Sequence, residues 1–264
     1  MVTRRSPAGR APRFLLCAAL AGVLLAAVEV PRASAAEAVY LSWFDCIAPG
    51  SAWQPDQTFG CGDNTTSFEL LCAFTLPYAT GPDVIGVEVV VDVQHSKPTL
   101  PPWWMMAASG QCRSGALVAS TDFTDNPGCA DPWQGTASAE IQAYDAGEPR
   151  GQPNQIRIKA VAGVPASSAR TLDASTRYNA LKLVIRSVLS APPGECSGCS
   201  DPACLVLNSI LVRRIAGSPG GDIQLTLPGG ANQNRATWQG GVGVDCGLVP
   251  ARRSTWGEIK SLYR

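Results

Sequence analysis

The sequence predicts an all-β protein, an antiparallel β-sandwich or jelly roll with disulfide-stapled loops and a short C-terminal helix. Three observations carry that expectation. After residue 36 apolar and polar residues alternate over most of the chain, the two-residue period of half-buried strands. Clusters of Gly, Pro and Asp interrupt the pattern at short intervals, so the spacers are too short for helical crossovers. Nine cysteines follow an N-terminal export signal, and that count belongs to a disulfide framework.

The export signal comes first. Arg4, Arg5, Arg10 and Arg13 form a charged leader, and Phe14–Val28 follows as an apolar core of 15 residues. That is shorter than the roughly 20 residues needed to cross a bilayer, and Ala33-Ser34-Ala35 then supplies the small residues a signal peptidase requires. Cleavage is expected after Ala35, with residues 1–35 removed. Arg4-Arg5 lacks the continuation of a twin-arginine signal. Cys17 sits in mid-core and does not mark a lipid anchor. No later apolar run reaches membrane length, because Lys182, Arg186 and Asn208 break the longest ones, so no transmembrane segment is expected. Residues 36–264 then hold 16 basic and 20 acidic side chains, a formal net charge of −4. Nucleic acid and anionic membranes recruit clustered Lys and Arg, so neither is expected as a partner. The location is secreted or extracytoplasmic, and the Ala, Gly, Arg and Pro bias suggests a bacterial source.

Residues 36–254 read as one β-sandwich domain. Ala38–Phe44 is its first strand, followed by a Gly/Pro/Asp-rich loop, and Thr66–Leu76 is the second. Val84–Gln94 has the clearest alternation: Ile85, Val87, Val89, Val91 and Val93 point one way, and Gly86, Glu88, Val90, Asp92 and Gln94 the other. Further strands are expected at Ala116–Ser120, Thr136–Tyr144, Gln155–Val161, Arg177–Leu189, Cys204–Ile215, Asp222–Leu227 and Thr237–Val244. Pro165–Asp173 has room for one helical turn.

Residues 255–264 change character. Thr255 and Glu258 form a capping box, and Ile259, Leu262 and Tyr263 fall on one side at helical spacing. The segment Thr255-Trp256-Gly257-Glu258-Ile259-Lys260-Ser261-Leu262-Tyr263-Arg264 resembles the ending of many uncharacterised secreted bacterial proteins that share Trp-Gly-x-Ile/Val-Lys-x-Leu-Tyr-Arg. The resemblance covers ten residues and implies no activity. It fits a sorting tail or a docked terminal helix.

The exported cysteines are Cys46, Cys61, Cys72, Cys112, Cys129, Cys196, Cys199, Cys204 and Cys246. Nine is odd, so at least one is free, capped or intermolecular. Cys112 and Cys129 bracket a Gly/Pro/Asp-rich loop and are the preferred local pair. Cys196-Ser-Gly-Cys199-Ser-Asp-Pro-Ala-Cys204 reads as structural disulfide cysteines. A redox Cys-x-x-Cys opens a helix beside a βαβ unit, and zinc needs a fourth ligand that does not follow at finger spacing.

Chemistry is scarce. The single histidine, His95, lies just past the strand carrying Asp92, and no Gly-x-Ser-x-Gly nucleophile elbow accompanies it, since Gly110-Gln-Cys-Arg-Ser-Gly115 does not match. Glu88 and Asp92 share a strand face, but four residues at ~3.3 Å put them ~13 Å apart, outside the ~5–9.5 Å of glycosidase pairs. Glu69 or Glu140 from another strand is the carboxylate that would complete such a pair; otherwise Glu88 and Asp92 read as ligand contacts or as solvated charges on an open sheet face. Trp103-Trp104, after Leu100-Pro-Pro102, reads as a core or loop anchor or as the candidate ligand contact, because prolines hold a loop extended and indole faces stack on sugars. Asp122, Asp125, Asn126 and Asp131 are oxygen-rich loop residues suited to structural calcium or to Asx turns, although the EF-hand spacing is absent. Asn64-Thr65-Thr66 matches a glycosylation acceptor, which matters only in a eukaryotic route. The expected function is a secreted, non-catalytic structural or interaction module, with a carbohydrate-binding module as its sharpest subtype, whose partner is an extracellular protein or polysaccharide. The alternative is a carbohydrate-active enzyme of the glycoside hydrolase type.

Overall fold

The computed structural model describes residues 36–47, 52–106, 109–126 and 128–246. The expected signal peptide, the expected C-terminal helical segment and Trp256 lie outside the described residues.

Among the described residues eleven strands form two sheets. They are β1 (Ala38–Trp43), β2 (Asp56–Gln57), β3 (Ser67–Thr75), β4 (Val84–His95), β5 (Leu117–Ser120), β6 (Ser138–Ala146), β7 (Gln155–Gly163), β8 (Tyr178–Arg186), β9 (Ala203–Arg214), β10 (Ile223–Leu225) and β11 (Arg235–Trp238). The smaller sheet runs β1-β3-β8-β5, and the larger runs β2-β11-β9-β4-β7-β6 with β10 beside β9. Pairing is antiparallel except between β2 and β11. Short 3₁₀ turns occur at Pro102–Trp104, Ala166–Ser168 and Gln239–Gly241.

The alternation along each strand explains the layering. Leu70, Cys72 and Phe74 of β3 and Leu181, Leu183 and Ile185 of β8 face Val87 to Val93 of β4 and Leu205 to Val212 of β9 in one continuous core. Two faces of apolar side chains therefore meet, which defines a β-sandwich. The outer face of the smaller sheet is covered in part: Ala38, Tyr40, Leu71 and Ala73 pack beneath Cys46, Ile47, Trp53 and Cys129.

Each expected strand is present with shifted ends. Thr237–Val244 overshoots, because Gly240 and Gly241 take positive φ and end β11 at Trp238. Asp56–Gln57 was not expected, since two residues carry no periodicity.

Among the described residues four disulfides close the fold: Cys46–Cys129, Cys61–Cys199, Cys112–Cys196 and Cys204–Cys246. The expected Cys112–Cys129 pair is corrected. The loop between them is pulled in two directions, Cys129 to the outer face of the smaller sheet and Cys112 to the end of the sandwich. The odd residue is Cys72, a free thiol fully buried in the core, where burial raises its pKa and keeps it protonated and inert. Four disulfides belong to an oxidising, extracytoplasmic compartment. No helix among the described residues is long and apolar enough to cross a membrane.

Gly198 shows how tightly the cysteine-rich segment fits. Its φ is +107°, and a Cβ there would lie 2.4 Å from Cβ of Pro101. Gly198→Ala is expected to cost about 2 kcal/mol or more, from backbone strain and a clash with a rigid ring. A urea midpoint unchanged from the parent protein would contradict this packing.

Candidate functional site

The broad face of the larger sheet that points away from the core carries the most polar chemistry. Register places its residues in rows. Glu88 of β4 lies opposite Val161 of β7, which lies opposite Glu140 of β6. Val90 faces Lys159 in the next row, and Asp92 faces Arg157, which faces Asp145, in the one after. Basic Arg157 and Lys159 thus run between two acidic strands. Most of these side chains are half-exposed, and Glu140 and Asp145 are exposed.

Asp92 is the exception, at 0% exposure. Nε and Nη2 of Arg157 donate to its two oxygens, each at 2.7 Å, and Nδ2 of Asn208 donates to Oδ2 as well. Asn208 reaches it because β9 bulges there: Val90 pairs with Ser209 and Val91 with Leu207, leaving Asn208 between them. The hydrogen bonds to Asp92 raise the Arg157 pKa further, so the guanidinium stays charged. Glu88 is tied to Arg213 at 3.2 Å, and Arg213 also holds Asp222 at 2.8 Å.

Both sequence-predicted carboxylates are therefore bound to arginines on an open sheet. Glu140 stands two strands from Glu88, ~10 Å at the usual strand spacing, with Val161 between them. Glu69 lies on the other sheet. No two of these four carboxylates flank a cleft, so the glycosidase geometry is not assembled. An open depression of about 540 Å³ beside Glu140 is lined by Ser138, Val161, Gly163, Val164 and Pro165, and it offers one carboxylate.

Trp103 and Trp104 are corrected as ligand contacts, because both are 0% exposed. The prolines do not hold them out on an extended loop. They start a 3₁₀ turn that drives both rings into the end of the sandwich. The two indoles lie 5.2 Å apart, edge to face, and Trp103 also stacks on Trp238 at 4.7 Å. The cysteine-rich segment closes over them. The backbone N–H of Trp103 donates to the carbonyl of Ser197 at 2.9 Å, and Trp238 Nε1 donates to the carbonyl of Cys199 at 2.6 Å. Two motifs that stand far apart in sequence thus form one structural knot. The three cysteines of that segment, Cys196, Cys199 and Cys204, go to three different disulfide partners, so neither a redox pair nor a zinc thiolate set exists.

Arg113 seals the same end. It is 1% exposed, lies 3.7 Å over the Trp103 ring, and donates to the carbonyls of Trp103 and Val188 at 2.8 Å each and to that of Arg186. Burial pushes its pKa down to about 10. The Tyr144 hydroxyl donates to the carbonyl of Trp104, and burial raises its pKa. Nothing in the spacing of Gly110–Gly115 announces this role for Arg113.

His95 is 1% exposed and contacts the Trp104 ring at 6.2 Å between centroids. Its Nδ1 accepts from the backbone N–H of Lys97 at 3.0 Å, which leaves the proton on Nε2. Burial lowers its pKa from 6.5 to about 4. A proton shuttle needs an accessible ring and a nucleophile, and this ring has neither. Because the folded pKa is depressed, the unfolded chain takes up the proton first as pH falls. The contribution of His95 is complete above pH 6.5 and is lost between pH 6.5 and about 4. The loss is on the order of 3 kcal/mol. Urea unfolding across that window should flatten in His95→Gln, and equal slopes in the two proteins would refute the burial argument.

The loop oxygens serve the loop itself. Asp122 Oδ1 accepts from the N–H of Thr124 at 3.1 Å and from its hydroxyl at 2.7 Å, while Asp131 accepts from the N–H groups of Trp133 at 2.7 Å and Gly135 at 2.8 Å. Asn126 is bonded to the Phe44 carbonyl and to Lys182. No three of the His, Cys, Asp or Glu side chains among the described residues converge on a metal-holding position. Asp122 and Asp131 act as Asx-turn residues.

No protein-family model matches the chain, and no curated protein does. Among solved structures it is similar to a cohesin module from a Clostridium perfringens ATCC13124 family 33 glycoside hydrolase, at 10% identity and a TM-score of 0.32, over 76% of this chain and 94% of that one. A superposition this loose carries no argument about ligand or partner.

Proposed function

We propose that the protein is an extracytoplasmic, non-catalytic interaction module, and that it meets a protein partner through the outer face of β6, β7, β4 and β9. The observation that supports this is the row pattern of that face. Glu88 and Glu140 flank Val161, Lys159 stands beside Val90, and the half-exposed Leu211 extends the apolar strip on β9. Alternating charge around a modest apolar centre suits a protein surface, where complementary potentials set orientation. Sugar recognition has less support, since Trp43, Trp103, Trp104, Trp133 and Trp238 are all fully buried.

The test uses a photocrosslinking amino acid at position 159 or 161 of the secreted protein, with position 186 on the other sheet as control. A discrete protein adduct from the first two positions alone is expected, and Val161→Glu should abolish it. Equal adducts from position 186, or co-sedimentation with insoluble polysaccharide without any protein adduct, would refute this reading.

A further inference from the structure

Three polar side chains meet beneath the Cys46–Cys129 loop on the outer face of the smaller sheet. Nζ of Lys182 donates to Glu69 Oε1 at 2.7 Å and to Asn126 Oδ1 at 3.3 Å. Lys182 is 5% exposed and Asn126 7%, whereas the Glu69 side chain keeps 24%. Strand pairing sets two of the three: Leu71 lies opposite Lys182 and Glu69 opposite Val184, so Glu69 and Lys182 are diagonal neighbours on β3 and β8. The third is held by its loop. Asn126 Nδ2 donates to the carbonyl of Phe44 at 3.1 Å, which turns Oδ1 toward the amine, and Cys129 pins the loop three residues further on.

An amine and a carboxamide fixed together away from water, beside a partly exposed carboxylate, are the reactants and the proton carrier of an amide exchange. We propose that Lys182 and Asn126 are joined in the mature protein by an isopeptide bond, formed autocatalytically with Glu69 as the catalytic acid–base. The Glu69 carboxylate takes a proton from the Lys182 ammonium, and the freed amine attacks Cγ of Asn126. A new Nζ–Cγ bond forms. Glu69 then passes protons from Nζ to Nδ2, the Cγ–Nδ2 bond breaks, and ammonia leaves as ammonium. The three ammonium and two amide hydrogens end as one amide hydrogen and four on the ammonium ion, charge is conserved, and Glu69 returns to its carboxylate. No oxidant and no co-reactant is required. The partly open side of Glu69 gives ammonia a way out, and burial of the other two protects the product from hydrolysis.

The bond has a mass signature. The exported, folded, unreduced chain should weigh about 17 Da less than its sequence with four disulfides, the mass of one ammonia. After reduction and digestion, the peptide containing Asn126 should remain joined to the one containing Lys182. Glu69→Gln and Lys182→Met should each restore the missing mass. A wild-type chain without the deficit, whose Lys182 amine is acylated once the chain is unfolded, overturns the proposal whatever the variants do. So does a deficit that survives in Lys182→Met, since the ammonia then came from elsewhere.

Discussion

Removing the Cys61–Cys199 disulfide by Cys61→Ser with Cys199→Ser should lower the melting temperature by roughly 10–20 °C. The bridge spans 138 residues, the longest separation of the four. Chain-entropy arguments give about 5 kcal/mol for a loop of that length, and a domain of this size shifts by roughly 2–4 °C per kcal/mol. Packing adds to the loss. The carbonyl of Cys199 receives both Trp238 Nε1 and Gln239 Nε2, and Phe59, two residues before Cys61, stacks on Trp238 at 4.3 Å. Cutting the bridge frees both walls of the aromatic cluster. The Cys204–Cys246 bridge closes only 42 residues, for about 4 kcal/mol, and its loss should be milder. Calorimetry of the two double variants decides the matter, and a larger loss at Cys204–Cys246 would reverse the assignment of the central staple.

Arg157→Ala is the second large effect. Asp92 has no exposure, and alanine leaves its charge with Asn208 as the one remaining side-chain donor. Stripping one partner from a buried pair costs about 3–5 kcal/mol, and the partial exposure of Arg157 places this case near the lower end. Asp92→Val with Arg157→Val removes both charges at positions where a strand accepts branched side chains, so the double variant should recover most of the loss. Equilibrium urea denaturation of the three proteins gives the coupling. If Arg157→Ala changes stability by less than ~0.5 kcal/mol, the network is a surface ornament and the buried charge has been misread.

Strands were legible in the sequence wherever one face is core, because alternation such as Val87-Glu88-Val89 records burial directly. The candidate site was legible only in part. Glu88 and Asp92 were found on one face, but the cations that hold them come from β7 and β9, and long-range register is not written in local spacing. Trp103-Trp104 misled for a related reason. A Pro-Pro-Trp-Trp run reads as an exposed loop until the segment that covers it, Cys196–Cys204, is placed beside it in space. The disulfide pairing was hidden for the same cause, since Cys112 and Cys129 are neighbours in sequence and diverge in the fold. Lys182 and Asn126 carried a fainter signal: a lysine in the apolar run Leu181–Leu189 has to find a partner or leave the strand.

The two ends of the sandwich are fastened by different means. Cys61–Cys199, Cys112–Cys196 and Cys204–Cys246 gather where β4 ends and β9 begins, while the opposite end is held by Asp83 with Arg214 and by Arg213 with Asp222. Ala38 opens β1 at the ion-paired end, and Cys246 is bonded at the other. A tensile force applied between these two residues therefore runs along the strands. It loads the six registered pairs of β1 and β3 in shear, so that the ladder shares the strain instead of unzipping pair by pair.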